Sequence, residues 1–218
     1  MITLQIFEDC YQKLIQYFTG QLFQDELALA QKEFFDNAGT LDENKPNYSL
    51  RINQFYDWYF LTRPLNGYMQ TPLMVCEQQR ELRLTPDDIT TIEILKNHQH
   101  SIFEYIKTKK NEMYIKDIYK NEKTCVDADQ LIFSFDEKEF FEARIVEIEN
   151  KKYYLKGFCF HPETAQKFIT EQTSMYRKNP DLNYKDFLVR LNKMRYKFEQ
   201  YRHVKPEMIY ANDNKLGL

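Results

Sequence analysis

Cys159 and His161, a thiol and an imidazole two residues apart, are the pair in this sequence best suited to chemistry. At a strand end, side chains i and i+2 share a face. The pair could act as a nucleophile and its base, which must meet within hydrogen-bond distance and face a pocket. It could also form half of a zinc site, but zinc needs two more ligands, and Cys125 is the candidate from a neighbouring strand. The alternative is structural. Cys159 then belongs to the core and His161 caps a helix begun by Pro162, where the positive helix end lowers the basicity of the ring. His98 and His100 form a second pair, in a segment whose pattern reads as helix. There the two rings point about 200° apart and cannot share one metal, so they read as exposed polar groups.

Glu142 and Arg144 share one strand face with Phe140 and Val146, while Phe141, Ala143 and Ile145 occupy the other. With apolar bulk on both faces, either the two charges are partly buried and paired, or a bulge near Ile145-Val146 switches faces. Asp57 and Arg63 bracket the end of an aromatic segment around Trp58, the only tryptophan. They are placed to clamp the Pro64–Gly67 turn through its backbone, making a buried joint, with a recognition surface as the alternative. Lys185, Arg190, Lys193, Arg195, Lys197 and Arg202 lie among Tyr184, Tyr196 and Tyr201, the one nucleic-acid-like pattern in the chain. Asp186 and Glu199 interrupt it and the pI is about 5.9. A solvated basic face is therefore preferred, ahead of a partner-binding face and of nucleic acid. No Ser–His–Asp order, H-E-x-x-H helix or close carboxylate pair stands out. The residues predict no catalytic centre, no metal and no cofactor. A reactive centre would instead gather three or more ionisable groups in a deep cavity around 142–161.

The scaffold that must position these groups is 218 residues long, 43% hydrophobic and 29% charged, as in ordinary globular chains. Aromatics reach 16%, and tyrosines at this level favour half-buried surfaces. Five glycines, none clustered, argue against phosphate-binding loops. Four dispersed cysteines and an N-terminus without a basic leader predict reduced thiols in a cytoplasmic protein. No apolar run is long enough to span a membrane. Residues 1–50 hold three Lys against eight acids, a net of −5, whereas residues 161–206 hold ten basic residues against five acids, a net of +5.

Apolar spacing predicts helices over 2–36, broken near Gly20, and over a segment capped by Ser49 and stopped by Pro64 and Gly67. The Asn37–Asn47 stretch reads as loop. Thr71-Pro72 and Thr85-Pro86-Asp87-Asp88 are helix starts, predicting helices over about 72–80 and about 86–108. Short β-branched or aromatic runs follow at 113–119, 123–127, 130–135, 140–149 and 152–160, with a hairpin turn at Glu149–Lys152. Helices are then expected from Pro162 to about Arg177 and over 183–203. The resulting segments are a helical part (1–110), an antiparallel β module (111–160), C-terminal helices packing back (161–205) and a polar tail (206–218).

The run Phe55-Tyr56-Asp57-Trp58-Tyr59 into Arg63-Pro64-Leu65, then Thr71-Pro72-Leu73, resembles a segment of uncharacterised bacterial proteins. In those, a helical part precedes a short β-rich part. Phe140–Ile145 and Gly157-Phe158-Cys159-Phe160-His161-Pro162 are similar to that β-rich part. The resemblance covers about residues 50–175. It implies this architecture and a bacterial origin, and carries no activity. Some such proteins bear a Cys-rich metal-binding tail that is missing here, so the resemblance brings no zinc.

The expected fold class is therefore α+β, with an N-terminal helical part, a small antiparallel sheet or half-open barrel, and C-terminal helices. The expected function is a non-catalytic cytoplasmic interaction or regulatory protein, binding a protein partner or itself as a homodimer, with no membrane. Nucleic-acid binding through the last helix is the alternative, and an enzyme with a site near the 142–161 hairpin is the second alternative.

Overall fold

The computed structural model describes residues 2–39, 43–44, 47–129, 131 and 134–212. Its helices are α1 (Leu4–Phe18), α2 (Gln24–Ala38), α3 (Tyr48–Leu61), α4 (Pro72–Val75), α5 (Pro86–Lys96), α6 (Gln166–Lys178), α7 (Tyr184–Gln200) and α8 (Pro206–Ile209). Its strands are β1 (Gln99–Lys109), β2 (Glu112–Asp117), β3 (Glu122–Asp127), β4 (Phe140–Ile148), β5 (Lys151–Tyr154) and β6 (Cys159–His161). The fold is α+β, with an antiparallel sheet curled into a half-barrel and helices before and after it in the chain. Among the described residues, no helix is long and apolar enough to cross a membrane.

Local chemistry explains most boundaries. Thr3 caps α1 by accepting from the Ile6 amide, and Thr71 does the same for Met74 at α4. Thr85 and Asp88 form a reciprocal capping box at α5, with Pro86 in the first turn. The helix expected over about 86–108 stops at Lys96, and residues 99–109 are strand. Ile102-Phe103 and Tyr105-Ile106 suit either period, and pairing to β2 decides for β. The Glu149-Asn150 turn takes φ of 49° and 64°, the left-handed pair that a tight hairpin needs. Two segments differ further from expectation. The strand expected over 130–135 falls partly on residues 130, 132 and 133, outside the described ones. Residues 206–212, expected as polar tail, hold α8 with Ile209 and Tyr210 buried.

The chain forms two compact units, each assembled from three stretches. The first takes Met1–Phe34, Glu43–Gln99 and Arg144–Gly157. Phe7, Leu14 and Phe18 recur along α1 at helical spacing and are buried. The Phe60 ring lies 5.9 Å from Phe18 and 5.7 Å from Tyr11, and Phe55 stacks on Tyr59 at 6.1 Å. Burying each such ring contributes about 1.5–3 kcal/mol. Here the second half of β4 pairs with β5 from Ile145↔Tyr154 to Ile148↔Lys151 without a shift in register. The bulge weighed near Ile145-Val146 is thus not there.

The second unit takes Phe35–Asp42, His100–Ala143 and Phe158–Leu218. Its strand order is β3-β2-β1-β4, with β6 also on β4 through Phe140↔His161 and Glu142↔Cys159. The register of β1 against β2 shifts between Tyr105 and Lys107, a bulge that sharpens the local twist. Ile102, Phe140, Ile169, Phe187, Leu188 and Leu191 build its core.

Candidate functional site

The geometry most suited to binding is built on Asp57 in the first unit. α3 turns this carboxylate inward, 3% exposed. Oδ1 accepts from the Tyr11 hydroxyl at 2.8 Å, and Oδ2 from the Gly157 N–H at 3.1 Å. A Cβ on residue 157 would lie 2.6 Å from Oδ2 and 3.0 Å from Gln54 Cα, so only glycine allows the approach. Burial pushes the Asp57 carboxyl above its ordinary range, while the Arg144 charge, Tyr11 and the Gly157 amide pull it back. Burial likewise raises the Tyr11 phenol well above its usual value, and the Asp57 charge adds to that.

Beside this pair α1, α3 and β5 enclose a cavity of about 270 Å³. Phe7, Tyr11 and Tyr56 give it aromatic walls, while Gln16 and Asn53 supply amides and Glu8 and Lys156 a loose ion pair at 3.6 Å. Apolar walls with a few fixed polar groups are the usual makeup of small-molecule sites. Sequence reasoning missed this cavity. Tyr11 falls on the amphipathic stripe of α1, and nothing local marks it or Gly157 as partners of Asp57.

The clamp expected from Asp57 and Arg63 divides. Arg63 does reach the turn, its Nη1 donating to the Pro64 carbonyl at 3.3 Å. Its stronger bonds go to Glu26 and Glu33, each at 2.7 Å. Glu26 also accepts from the Asn66 amide at 3.2 Å and so ties α2 to that turn. Asp57, contrary to expectation, takes the Gly157 amide rather than the turn, because α3 points it toward the end of β5. Trp58 is half-buried, 5.4 Å from the Phe34 ring.

Glu142 and Arg144 are both buried, as the two-sided apolar strand predicts, but each has partners inside its own unit. Arg144 donates to Thr62 Oγ1 at 2.9 Å. Glu142 Oε1 bonds His100 Nε2 at 2.8 Å and accepts from Asn192 Nδ2 at 3.3 Å. His100 is therefore a half-buried strand residue, not the exposed helical group its pattern implied. His161 is 3% exposed, and its Nδ1 lies 3.2 Å from the Tyr210 hydroxyl. It caps no helix: Pro162 opens a 3-10 turn without a side-chain cap. Ionisable groups do gather around 142–161, within the packed interior. Among the described residues, no set of three or more His, Cys, Asp and Glu is arranged to hold a metal.

Burial pushes His161 down to about 4, with Glu142 pulling upward and Arg195 pushing down. An unfolded histidine takes its proton near 6.5. The folded chain refuses that proton, so the stabilisation is complete above pH 6.5 and is lost as pH falls toward 4. Over that window the loss is roughly 3 kcal/mol. Glu142, Tyr210, Cys159 and Arg195 surround the ring and remain in a His161→Asn variant. Urea midpoints measured from pH 4 to 7 should fall more steeply for the parent than for that variant.

In α7 the basic residues are not one free stripe. Lys185 is exposed, as is Arg202 beyond the helix end, and Lys193 and Lys197 are half-buried. Arg195 turns inward to the Phe160 carbonyl and pairs with Glu199 at 3.1 Å. Arg190 lies over the Phe187 ring and donates to Asn212.

Compared with known proteins, residues 11–202 match a family of unknown function (DUF7986). No curated protein and no solved structure matches the chain.

Proposed function

We propose that this chain, which belongs to that family of unknown function, is a non-catalytic regulatory protein of the bacterial cytoplasm, one that binds a small molecule and acts on a protein partner or a second copy of itself. The cavity beside Asp57 and Tyr11 carries the reading: its polar base is already hydrogen-bonded, and its aromatic walls await an apolar body. Groups that could do acid–base work, Asp57, Glu142, His100 and Arg63, are each held by partners that fix the fold. A partner surface is supported by the Leu65–Gln70 loop, closed by the Leu65 amide on the Gln70 carbonyl at 2.8 Å. That loop holds Met69 outward, 83% exposed, at φ 55°. A left-handed backbone that holds an adaptable apolar side chain in solvent suits a recognition loop. The bacterial setting rests on the resemblance of the Trp58 and Phe140 segments.

Thermal denaturation of the full chain against a library of neutral and charged compounds of small size should reveal ligands that raise the melting temperature and are recovered chemically unchanged. A library without a single stabilising compound, or a ligand converted to product, would overturn the reading.

A further inference from the structure

Resting on the reading of the α1–α3 cavity as a small-molecule site, we propose that its ligand is an uncharged aromatic nitrogen heterocycle of free-base or nucleoside size. Charge is the first argument. Of the acids on the cavity wall, Glu8 faces the Lys156 ammonium at 3.6 Å, and the charges of Arg144 and Lys156 both act on Asp57. Each charge has its opposite beside it, so neither an anion nor a cation meets an unmatched partner. A phosphate brought to Lys156 would also meet Glu8.

The walls supply the second argument. Phe7, Tyr11, Tyr56 and Tyr154 border the same space, and π faces favour a flat ring, stacked or edge-on, whatever its substituents. The third argument is the polar fringe. Gln12, Gln16 and Asn53 lie along the cavity, and each amide carries a donor and an acceptor side by side. That is the arrangement with which Asn and Gln read the adjacent donor and acceptor on an adenine edge. Tyr11 commits its proton to Asp57, which leaves its phenolic oxygen as an acceptor for a ring N–H or exocyclic amine. Size sets the upper limit: about 270 Å³ falls just below the range of drug-sized pockets. One ring system fits, and a dinucleotide does not.

The test is isothermal titration of the full chain with adenine, adenosine, adenosine 5′-monophosphate, phenethylamine and cyclohexanol. Adenine or adenosine is expected to bind, the monophosphate more weakly. Tyr56→Ala is expected to raise the dissociation constant about tenfold. Gln16→Ala, at an exposed position that does not threaten folding, should also weaken binding. If the amine or the cyclic alcohol binds in preference to the heterocycles, or if heterocycle binding ignores both substitutions, the ligand class is wrong while a small-molecule site stands. If none of the five probes binds and the wider library also fails, the site itself is wrong.

Discussion

Asp57→Ala should lower the stability of the chain by about 2–5 kcal/mol, because two donors lose their acceptor at about 1–3 kcal/mol each and the Arg144 charge loses a nearby carboxylate. The loss has three sources. The Tyr11 hydroxyl and the Gly157 amide each lose their acceptor. The Arg144 guanidinium, whose Nε already lacks a partner in the interior, loses the carboxylate that offsets it. An unsatisfied buried donor costs about 1–3 kcal/mol by itself, so the sum lies at the upper end of what one substitution does. Asp57→Asn keeps an acceptor of the same shape and should cost well under half as much. Guanidinium unfolding of the parent and both variants checks the order. An alanine variant within 1 kcal/mol of the parent would mean that water replaces the carboxylate, and the fixed cavity wall would go with it.

Glu142→Ala should be comparably damaging, about 3–5 kcal/mol. Its carboxylate, 4% exposed, holds His100 and Asn192, from β1 and α7, on one oxygen. An ionised carboxylate only accepts, so His100 Nε2 carries the hydrogen. Alanine removes the acceptor that both donors share, whereas Glu142→Gln retains an oxygen for one of them and should recover most of the loss. A second measurement separates this from a packing defect. Glu142 pulls the His161 pKa upward from across the β4–β6 pairing. In Glu142→Gln the imidazole should therefore titrate lower still, visible as a smaller shift of its NMR resonances down to pH 4.

How much of this was written locally in the chain depends on distance along it. The caps at Thr71 and Thr85, the turn at Asn150 and the break near Gly20 depend on a few consecutive residues, and all were legible. Strand β1 was not, because Ile102-Phe103-Glu104-Tyr105-Ile106 satisfies helix and strand patterns alike, and only its partners decide. The burial of Glu142 and Arg144 followed from the two-sided apolar strand, but their partners did not. His100 is 42 positions before Glu142, and Thr62 is 82 before Arg144. The Asp57 site is the extreme case, with its ligands 46 and 100 positions away. Residue types at Tyr11 and Gly157 are ordinary for an amphipathic helix and a turn. Nothing short of the fold distinguishes them.

The interleaving of the two units has a consequence for how the protein is made. The first unit starts at the N-terminus yet needs Arg144–Gly157 to finish, and β4 passes from one unit to the other between Ala143 and Arg144. Asp57 leaves the ribosome a hundred positions ahead of the amide that completes its bonding. At 5–20 residues per second, that is about 5–20 s during which the Asp57 carboxylate lacks that donor in a nascent chain. The first unit therefore cannot be completed until the β4–β5 hairpin and Gly157 have emerged, so its closure is a late step of synthesis.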